Sequence, residues 1–344
     1  MASVISQDIN LLLRRSARSF YLTLKILPSP IRPQLSIGYL LARISDTICD
    51  TEAIQPTKRL EVLDQFLAAV LEGPHKFPDL LIFIQHQAKP IDKELLEIAQ
   101  RGVVLLHSLP EFDKAVLQRT LKIIGHGQRF DLVTFSQELT QTKPIPLRDE
   151  AELENYTYSV AGCVGELWTE LCHRHLFPNA RIDMALALQR AIRFGKALQL
   201  VNILRDLAQD LRRNRCYIPA DQLAKHDLNP VDLLAPGNWP KFKPLYLTYT
   251  RLARKYFKDA WLYTRAIPQN QFRVRLACAW PILIGLKTLA LLEASNPLDP
   301  STVIKIPRSH VRSIILRTVA GYPIPGFWDA LYRASGGLPL TSNT

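Results

Sequence analysis

The sequence predicts an all-α protein, and three observations carry that expectation. Helical periodicity runs through most of the chain, and no segment shows the two-residue alternation of a half-buried strand. Only 14 of the 344 residues are Gly, too few for the many tight turns of a barrel or sandwich. The 24 Pro fall mostly between periodic segments, where they stop helices. A content of 47% hydrophobic, 8% aromatic and 22% charged residues describes a globular chain with a sizeable core.

Taken in order, the periodic segments are 6–27, 33–50, 56–72, 79–88, 92–107, 111–138, 148–176, 181–212, 240–266, 271–294, 307–320 and a short 326–334. Pro28, Pro30 and Pro33 close the first and open the second. Pro56, Pro74, Pro78, Pro90, Pro110, Pro144, Pro146, Pro178 and Pro219 mark later breaks. Asp92, Asp149 and Asn179 stand where N-caps belong. The segments 148–176 and 181–212 are apolar around most of their circumference, so they are expected to be central and buried. The stretch 213–240 reads as loop. With no repeat, low-complexity block or Gly/Ser linker, residues 1–335 are expected to form a single helical domain and 336–344 a flexible tail.

No uninterrupted run of 18 apolar residues occurs, and the N-terminus does not read as a secretory signal. The most apolar stretch, 276–294, contains Pro281 and Lys287 and fits a buried core helix better than a membrane span. The five Cys are widely spaced without a C-x-x-C, which excludes a disulfide framework or a zinc-ribbon pattern and suits a reducing, cytoplasmic setting. The net charge of +12 is uneven. Residues 1–180 carry 19 Lys/Arg against 21 Asp/Glu, and residues 181–344 carry 24 against 10. The basic second half implies an anionic partner, whether nucleic acid, acidic lipid or a phosphorylated small molecule.

Chemistry concentrates in two stripes. In "GYLLARISDTICDTE", Tyr39, Arg43, Asp46 and Asp50 follow at spacings of four, three and four on one helix face. Acids near a helix C-terminus oppose its dipole, a placement that makes sense when a cation is bound. In "GKALQLVNILRDLAQDLRRNRCYIP", Gln199, Asn202, Asp206 and Asp210 share one face of a largely apolar helix, flanked by Arg205. Such polar groups need partners. Four carboxylates and an amide oxygen are hard ligands suited to Mg2+, which keeps water and shares phosphate oxygens. Arg43, Arg205, Arg212, Arg213 and Arg215 can grip phosphate by charge-assisted bonds. The inferred ligand is a magnesium-bound diphosphate with a hydrocarbon tail in an apolar pocket.

These motifs resemble the squalene/phytoene synthase family of head-to-head isoprenoid synthases. "RSARSFYLTLKILP" (15–28) is similar to its N-terminal Ser-Phe segment, "YTYSVAGCVGELW" (156–168) to its small-residue helix, and "NRCYIP" (214–219) to the segment closing over the second aspartate motif. The resemblance covers roughly 14–295. It implies a single-domain class I terpenoid synthase bundle around a central apolar cavity. It also implies that Ser19, Phe20 and Tyr39 contact diphosphate and that Ala161, Gly162 and Gly165 leave room for prenyl chains. Tyr156 falls on the tyrosine implicated in catalysis, and Tyr217 lies in the closing segment.

Within the family, "CAWPILIGLKTLALL" (278–292) and "VIKIPRSHV" (303–311) resemble the squalene synthase version, in which basic residues bind NADPH phosphates. Lys305 and Arg308 are the best matches, with Arg18, Arg43 and Arg205 also directed to the dinucleotide. Two positions depart from the pattern. Cys49 replaces an acid often found before the last aspartate of the first motif, with Glu52 following, and Ile282 replaces a glutamine often found after the C-A-x-P proline. The implied activity is the condensation of two farnesyl diphosphates and reduction to squalene, with Mg2+ and NADPH. Dehydrosqualene or phytoene synthesis without reduction is the alternative within the family. A non-catalytic basic protein on membrane or nucleic acid is the alternative from a different class, and the intact acidic pairs argue against it.

The remaining residues have plainer expectations. Leu167, Trp168, Cys163 and Cys172 read as core, and His107, His126, His173 and His175 as surface or satisfied polar groups. The basic excess after 240 reads mostly as a solvated face. Its Arg251, Arg254, Lys255, Lys258 ridge could meet anionic lipid at a membrane surface. Nucleic acid is not an expected partner, and a monomer suffices.

Overall fold

The computed structural model describes residues 7–16, 20–135 and 143–340. It divides into two compact units. The first holds the described residues up to 135 together with Leu167–Asn179, and the second holds the described residues of 143–166 and 180–340.

In the first unit the helices are α1 (Gln7–Ser16), α2 (Phe20–Ile26), α3 (Arg32–Cys49), α4 (Pro56–Glu72), α5 (Leu81–Gln85), α6 (Pro90–Glu97), α7 (Ala99–His107) and α8 (Glu111–Phe135). α3 is the hub, packed by α4, α7 and α8. Leu40, Leu41, Ile44 and Ile48 are fully buried there, together with Phe66 and Leu63 of α4 and Leu117 of α8. Proline opens α4 and α6 and stands in the first turn of α3, where its missing N–H costs no hydrogen bond.

The segment expected as one helix over 92–107 is two, broken at Ile98. α6 begins at Pro90 with Lys89 in the cap position, so Asp92 is not an N-cap. It lies in the first turn, buried, and serves an arginine described below. Within the segment 6–27 the described residues 7–16 and 20–26 are the helices α1 and α2, and residues 6 and 17–19 lie outside the description.

In the second unit, α9 (Glu150–Thr157) leads through a π-helical turn, Tyr158–Gly162, into α10 (Cys163–Leu176), most of which belongs to the first unit. α11 (Met184–Arg212), α12 (Ala220–Ala224), α13 (Trp239–Ala266), α14 (Phe272–Ala294), α15 (Arg308–Ala320) and α16 (Phe327–Ala334) follow. Asp149 caps α9 as expected, its side chain accepting from Glu152 N. α11 is capped by Asp183, accepting from Leu186 N, and not by Asn179, because the helix starts later than its periodicity suggested. Two short strands escaped the sequence reading: β1 (Ile145–Pro146) pairs in parallel with β2 (Arg215–Cys216). Two residues each are too few to show alternation.

α11 packs along α13, and α14 lies against α13 and α15. α14 is long and apolar enough to cross a membrane by composition, but two-thirds of its most apolar window is buried within the protein. That agrees with the core-helix expectation. Gly285 of α14 sits where a Cβ would lie 2.3 Å from the Phe257 ring, so glycine sets how closely α13 and α14 approach. All five cysteines are buried, and none is joined in a disulfide. His107 and His175 are satisfied polar groups, the first on the carbonyl oxygens of Ala69 and Val70, the second 2.6 Å from buried Asp113.

Two further expectations meet the structure here. Arg254 does not belong to an exposed ridge, because it forms a two-pronged bond with Glu293 at 2.9 and 2.8 Å and donates to the Gly336 carbonyl. The start of the C-terminal tail is thereby tied down, and Gly337 rests on the Tyr332 ring.

Candidate active site

On α3 the residues left accessible form a stripe within an otherwise buried helix. Tyr39, Arg43 and Asp46 are half-buried and Asp50 is exposed, while Leu40, Leu41, Ile44, Ser45, Thr47 and Ile48 are buried. The apolar periodicity turns its complement, the polar stripe, outward. Arg43 is fixed from two sides, donating to Asp46 Oδ2 at 2.5 Å and to Asp92 Oδ1 at 3.1 Å. The guanidinium is therefore pre-oriented along the stripe.

Asp50 is the C-cap, its N–H bonded to Asp46 O at 2.9 Å. The helix end is electrically supported by a residue the sequence reading missed. Buried Arg59 of α4 donates to the Cys49 carbonyl at 2.7 Å, placing a cation at the negative end of the α3 dipole. An arginine at an apolar-face position of α4 was the available signal. Cys49 itself is buried, and burial followed by the charges of Asp46 and Asp50 holds its thiol well above the usual range, so it is neutral and no substitute for a carboxylate ligand. Glu52 is exposed just beyond the helix end.

On α11 the arrangement repeats with different compensation. Gln199, Asp206 and Asp210 are half-buried and Asn202 is exposed, between buried Leu200, Ile203, Leu204, Leu207 and Leu211. Arg205 grips the neighbouring Asp206 with both prongs, Nε to Oδ1 at 2.8 Å and Nη2 to Oδ2 at 2.6 Å. Asn202 approaches Gln199 at 3.5 Å. Burial, then the Asp206 charge, pushes the Asp210 carboxyl up to about 7, against the opposing pull of Arg215, Arg213 and Arg205. Burial and the neighbouring carboxylate thus make the charged form of Asp210 costly, a cost that a bound cation would relieve.

After α11 the chain turns through Asn214 at φ 60°, a left-handed conformation Asn tolerates, into β2. The β1–β2 pair holds this segment, with Ile145 N bonded to Asn214 O at 2.9 Å. Arg215 thereby leaves the helix on a fixed strand.

Tyr217 stacks on Tyr156 with ring centroids 4.8 Å apart and planes 22° from parallel, both rings buried. The sequence named these tyrosines separately, and the fold joins them. Beside them a polar cluster went unnoticed. Buried Lys196 pairs with Glu154 and lies 5.7 Å from the Tyr158 ring, whose hydroxyl donates to Glu166 at 2.8 Å. Lys196 lies on the otherwise apolar part of α11, and that was its signal.

Two glycines of this region stand at a close approach of backbones. A Cβ on Gly165 would lie 2.1 Å from the Ala191 carbonyl oxygen, and one on Gly195 2.2 Å from that of Ala161. Glycine at 165 and 195 therefore lets the backbones of the α9–α10 stretch and α11 approach closely.

Arg18 and Ser19 lie outside the described residues, as does the side chain of Phe20, whose backbone opens α2. Lys305 and Arg308 are exposed, Arg308 opening α15, and neither has an acidic partner among the described residues. Arg43 and Arg205, by contrast, are engaged by aspartates. Among the described residues no group of three or more His, Cys, Asp or Glu side chains is placed to hold a metal ion. Paired carboxylates of this kind suit a cation that retains water and shares ligands with a substrate.

The squalene/phytoene synthase family model matches residues 13–310, and the chain belongs to that family. A squalene synthase of Schizosaccharomyces pombe is 27% identical over 314 residues, 90% of this chain and 64% of that protein. A bifunctional lycopene cyclase/phytoene synthase of Aspergillus oryzae is 31% identical over 232 residues, 65% of this chain and 37% of that protein. The chain thus spans between about a third and two-thirds of the length of these curated relatives.

Among solved structures, TcSQS in complex with a ligand superposes with a TM-score of 0.76 at 18% identity, covering 96% of this chain and 91% of that one. A dehydrosqualene synthase complex gives 0.62 at 19% identity, covering 91% and 94%. The fold is accordingly the all-α terpenoid synthase fold.

Proposed function

We propose that the protein is a squalene synthase. It would join two farnesyl diphosphates head to head into presqualene diphosphate and reduce that product to squalene. The observation that carries the proposal is the pair of acidic stripes, Asp46/Asp50 and Asp206/Asp210, each the accessible face of a buried helix and each accompanied by a fixed arginine. The similarity to a squalene synthase over 90% of the chain supports the reductive version, since it reaches the C-terminal segment carrying Lys305 and Arg308.

On this reading Asp46, Asp50, Asp206 and Asp210, with Asn202, hold Mg2+. When bound, the metal supplies electrostatic stabilisation for the departing pyrophosphate. The protein's own groups do the rest. Arg43, held by Asp46 and Asp92, and Arg205 and Arg215 orient the diphosphate oxygens, and Tyr39 hydrogen-bonds one of them. Tyr156, braced by Tyr217, shields the allylic cation from water and steers proton loss. NADPH would supply hydride, its phosphates held by the exposed Lys305 and Arg308 and by Arg18, while Gln199, Ser19, Phe20 and Ala161 line the substrate path. Residues 1–335 act as one catalytic domain, and peripheral contact with anionic membrane is consistent with the basic second half.

A second reading, phytoene or dehydrosqualene synthesis without reduction, is favoured by the phytoene synthase relatives, one of which, from Thermus thermophilus, is 36% identical over 121 residues. Ile282 in place of glutamine agrees with it. Product analysis after incubation with farnesyl diphosphate, with and without NADPH, decides between them. Squalene formed only with NADPH is the expected result, and dehydrosqualene alone under both conditions would replace the proposal with the second reading.

A further inference from the structure

The C-terminal part of the second unit contains a cavity of ≈ 250 Å³ that no step above employs. Three helices each turn one face to it. α14 contributes Leu283 and Lys287 (i, i+4), α15 contributes His310, Ser313, Ile314 and Arg317 (i, i+3, i+4, i+7), and α16 contributes Leu331 and Ala334 (i, i+3) with its C-cap Ser335. Leu283, Ile314, Leu331 and Ser335 are buried, Lys287 is half-buried, and His310, Ser313 and Arg317 are exposed. The cavity therefore has an apolar floor and a cationic, hydroxyl-bearing mouth.

Its charge is uncompensated. No acid lines it, and α15 contains none. The acids on the other two helices are engaged elsewhere: Glu293 with Arg254, and Asp329 with Trp261 Nε1 at 2.8 Å and Arg265 at 3.3 Å. Lys287, His310 and Arg317 have no acidic partner among the described residues. Three cationic or protonatable side chains converging beside two hydroxyls form an anion site, and arginine with lysine favours phosphate. The volume falls below the roughly 300–1,000 Å³ of pockets for drug-sized ligands, too small for a whole dinucleotide.

We propose that the α14–α15–α16 cavity binds a small phosphate-bearing anion, its phosphate held by Lys287, His310, Arg317 and the hydroxyls of Ser313 and Ser335, with a short apolar stem against Leu283, Ile314 and Leu331. The phosphate comes from a free monoester or from a lipid headgroup, and the two sources are separable.

The test is titration calorimetry on the full chain in chelator, so that magnesium-dependent phosphate binding elsewhere is silent. The probes are inorganic phosphate, glycerol phosphate and phosphatidylcholine vesicles containing phosphatidate. Saturable binding of at least one probe is expected, weakened about tenfold or more by Lys287→Gln and by Arg317→Gln, and by Ala334→Phe, which fills the cavity without touching its charge. Melting temperatures of the three variants are expected to match the parent. Saturation by the soluble probes assigns a free monoester, and saturation by vesicles alone assigns a headgroup. No saturable binding of any probe overturns the proposal, as does parent-like affinity in the lysine and arginine variants. Parent-like affinity in Ala334→Phe also overturns it, because the charge would then be acting as a surface and not as a cavity.

Discussion

The two acidic stripes share a spacing but not an electrostatic solution. On α3, Asp46 is paired with an arginine that a third acid, Asp92, also holds, the far end of the stripe is exposed, and Arg59 supports the helix terminus. On α11, Arg205 is fully engaged by Asp206, and Asp210 is left half-buried with its carboxyl raised to about 7. The comparison teaches that an i,i+4 carboxylate pair can be neutralised in advance by its own protein or can keep a member whose charged form burial and its neighbour disfavour. The second kind gains more from an added cation.

The largest expected effect comes from removing one acid of either pair. Asp46→Asn and Asp206→Asn are each expected to lower pyrophosphate release from farnesyl diphosphate by roughly three orders of magnitude. Circular-dichroism melting should stay close to the parent's. Near-parental rates at saturating magnesium in either variant would remove that stripe from the chemistry.

Next in size is Gly165→Ala. A methyl placed against the Ala191 backbone cannot be absorbed by a side-chain rotation, so a loss of about 3 kcal/mol is expected, at the upper end of overpacking costs. Chemical denaturation measures it, and an unchanged midpoint would mean the helices separate freely.

Smaller and more selective is Lys305→Ala, expected to reduce NADPH-dependent product about tenfold while sparing presqualene diphosphate formation. Equal loss of both steps, read by product chromatography, would count against a nicotinamide role.

The smallest effect sharpens the comparison itself. Added Mg2+ is expected to raise the melting temperature by a few degrees, by mass action on the folded state. Asp210→Asn should remove more of that rise than Asp50→Asn does. The reverse order would place the stronger cation site on α3.

Much of this was legible in the sequence because it depends on helical periodicity alone. The 3.6-residue period that buries Leu40, Ile44 and Ile48 necessarily turns Tyr39, Arg43 and Asp46 the other way, so the stripe could be read before any fold was known. The same holds for the buried helix at 272–294. What could not be read was pairing across long separations. Asp92 looked like a cap because an acid near a helix start usually is one, and its partner Arg43 is 49 residues away. The Tyr156–Tyr217 stack and the β1–β2 bridge are of the same kind, and Arg59 reaches Cys49 from the next helix. The backbone approach at Gly165 and Gly195 was hidden for a related reason, since smallness in a sequence does not say what lies against it.

The wide turn at Tyr158–Gly162 carries one residue more than regular winding would need. Deleting a single residue there would let the helix close into an unbroken α coil, a gain by local criteria. Because the wide turn winds more slowly than the roughly 100° per residue of a regular helix, it absorbs the surplus, and the bearing of Tyr156 toward Tyr217 is nearly the same with or without it. The extra residue is therefore contained within its own turn: it widens the coil at one place and leaves the compass bearing of the tyrosine alone, so a relative lacking it would lose the bulge and keep the stack.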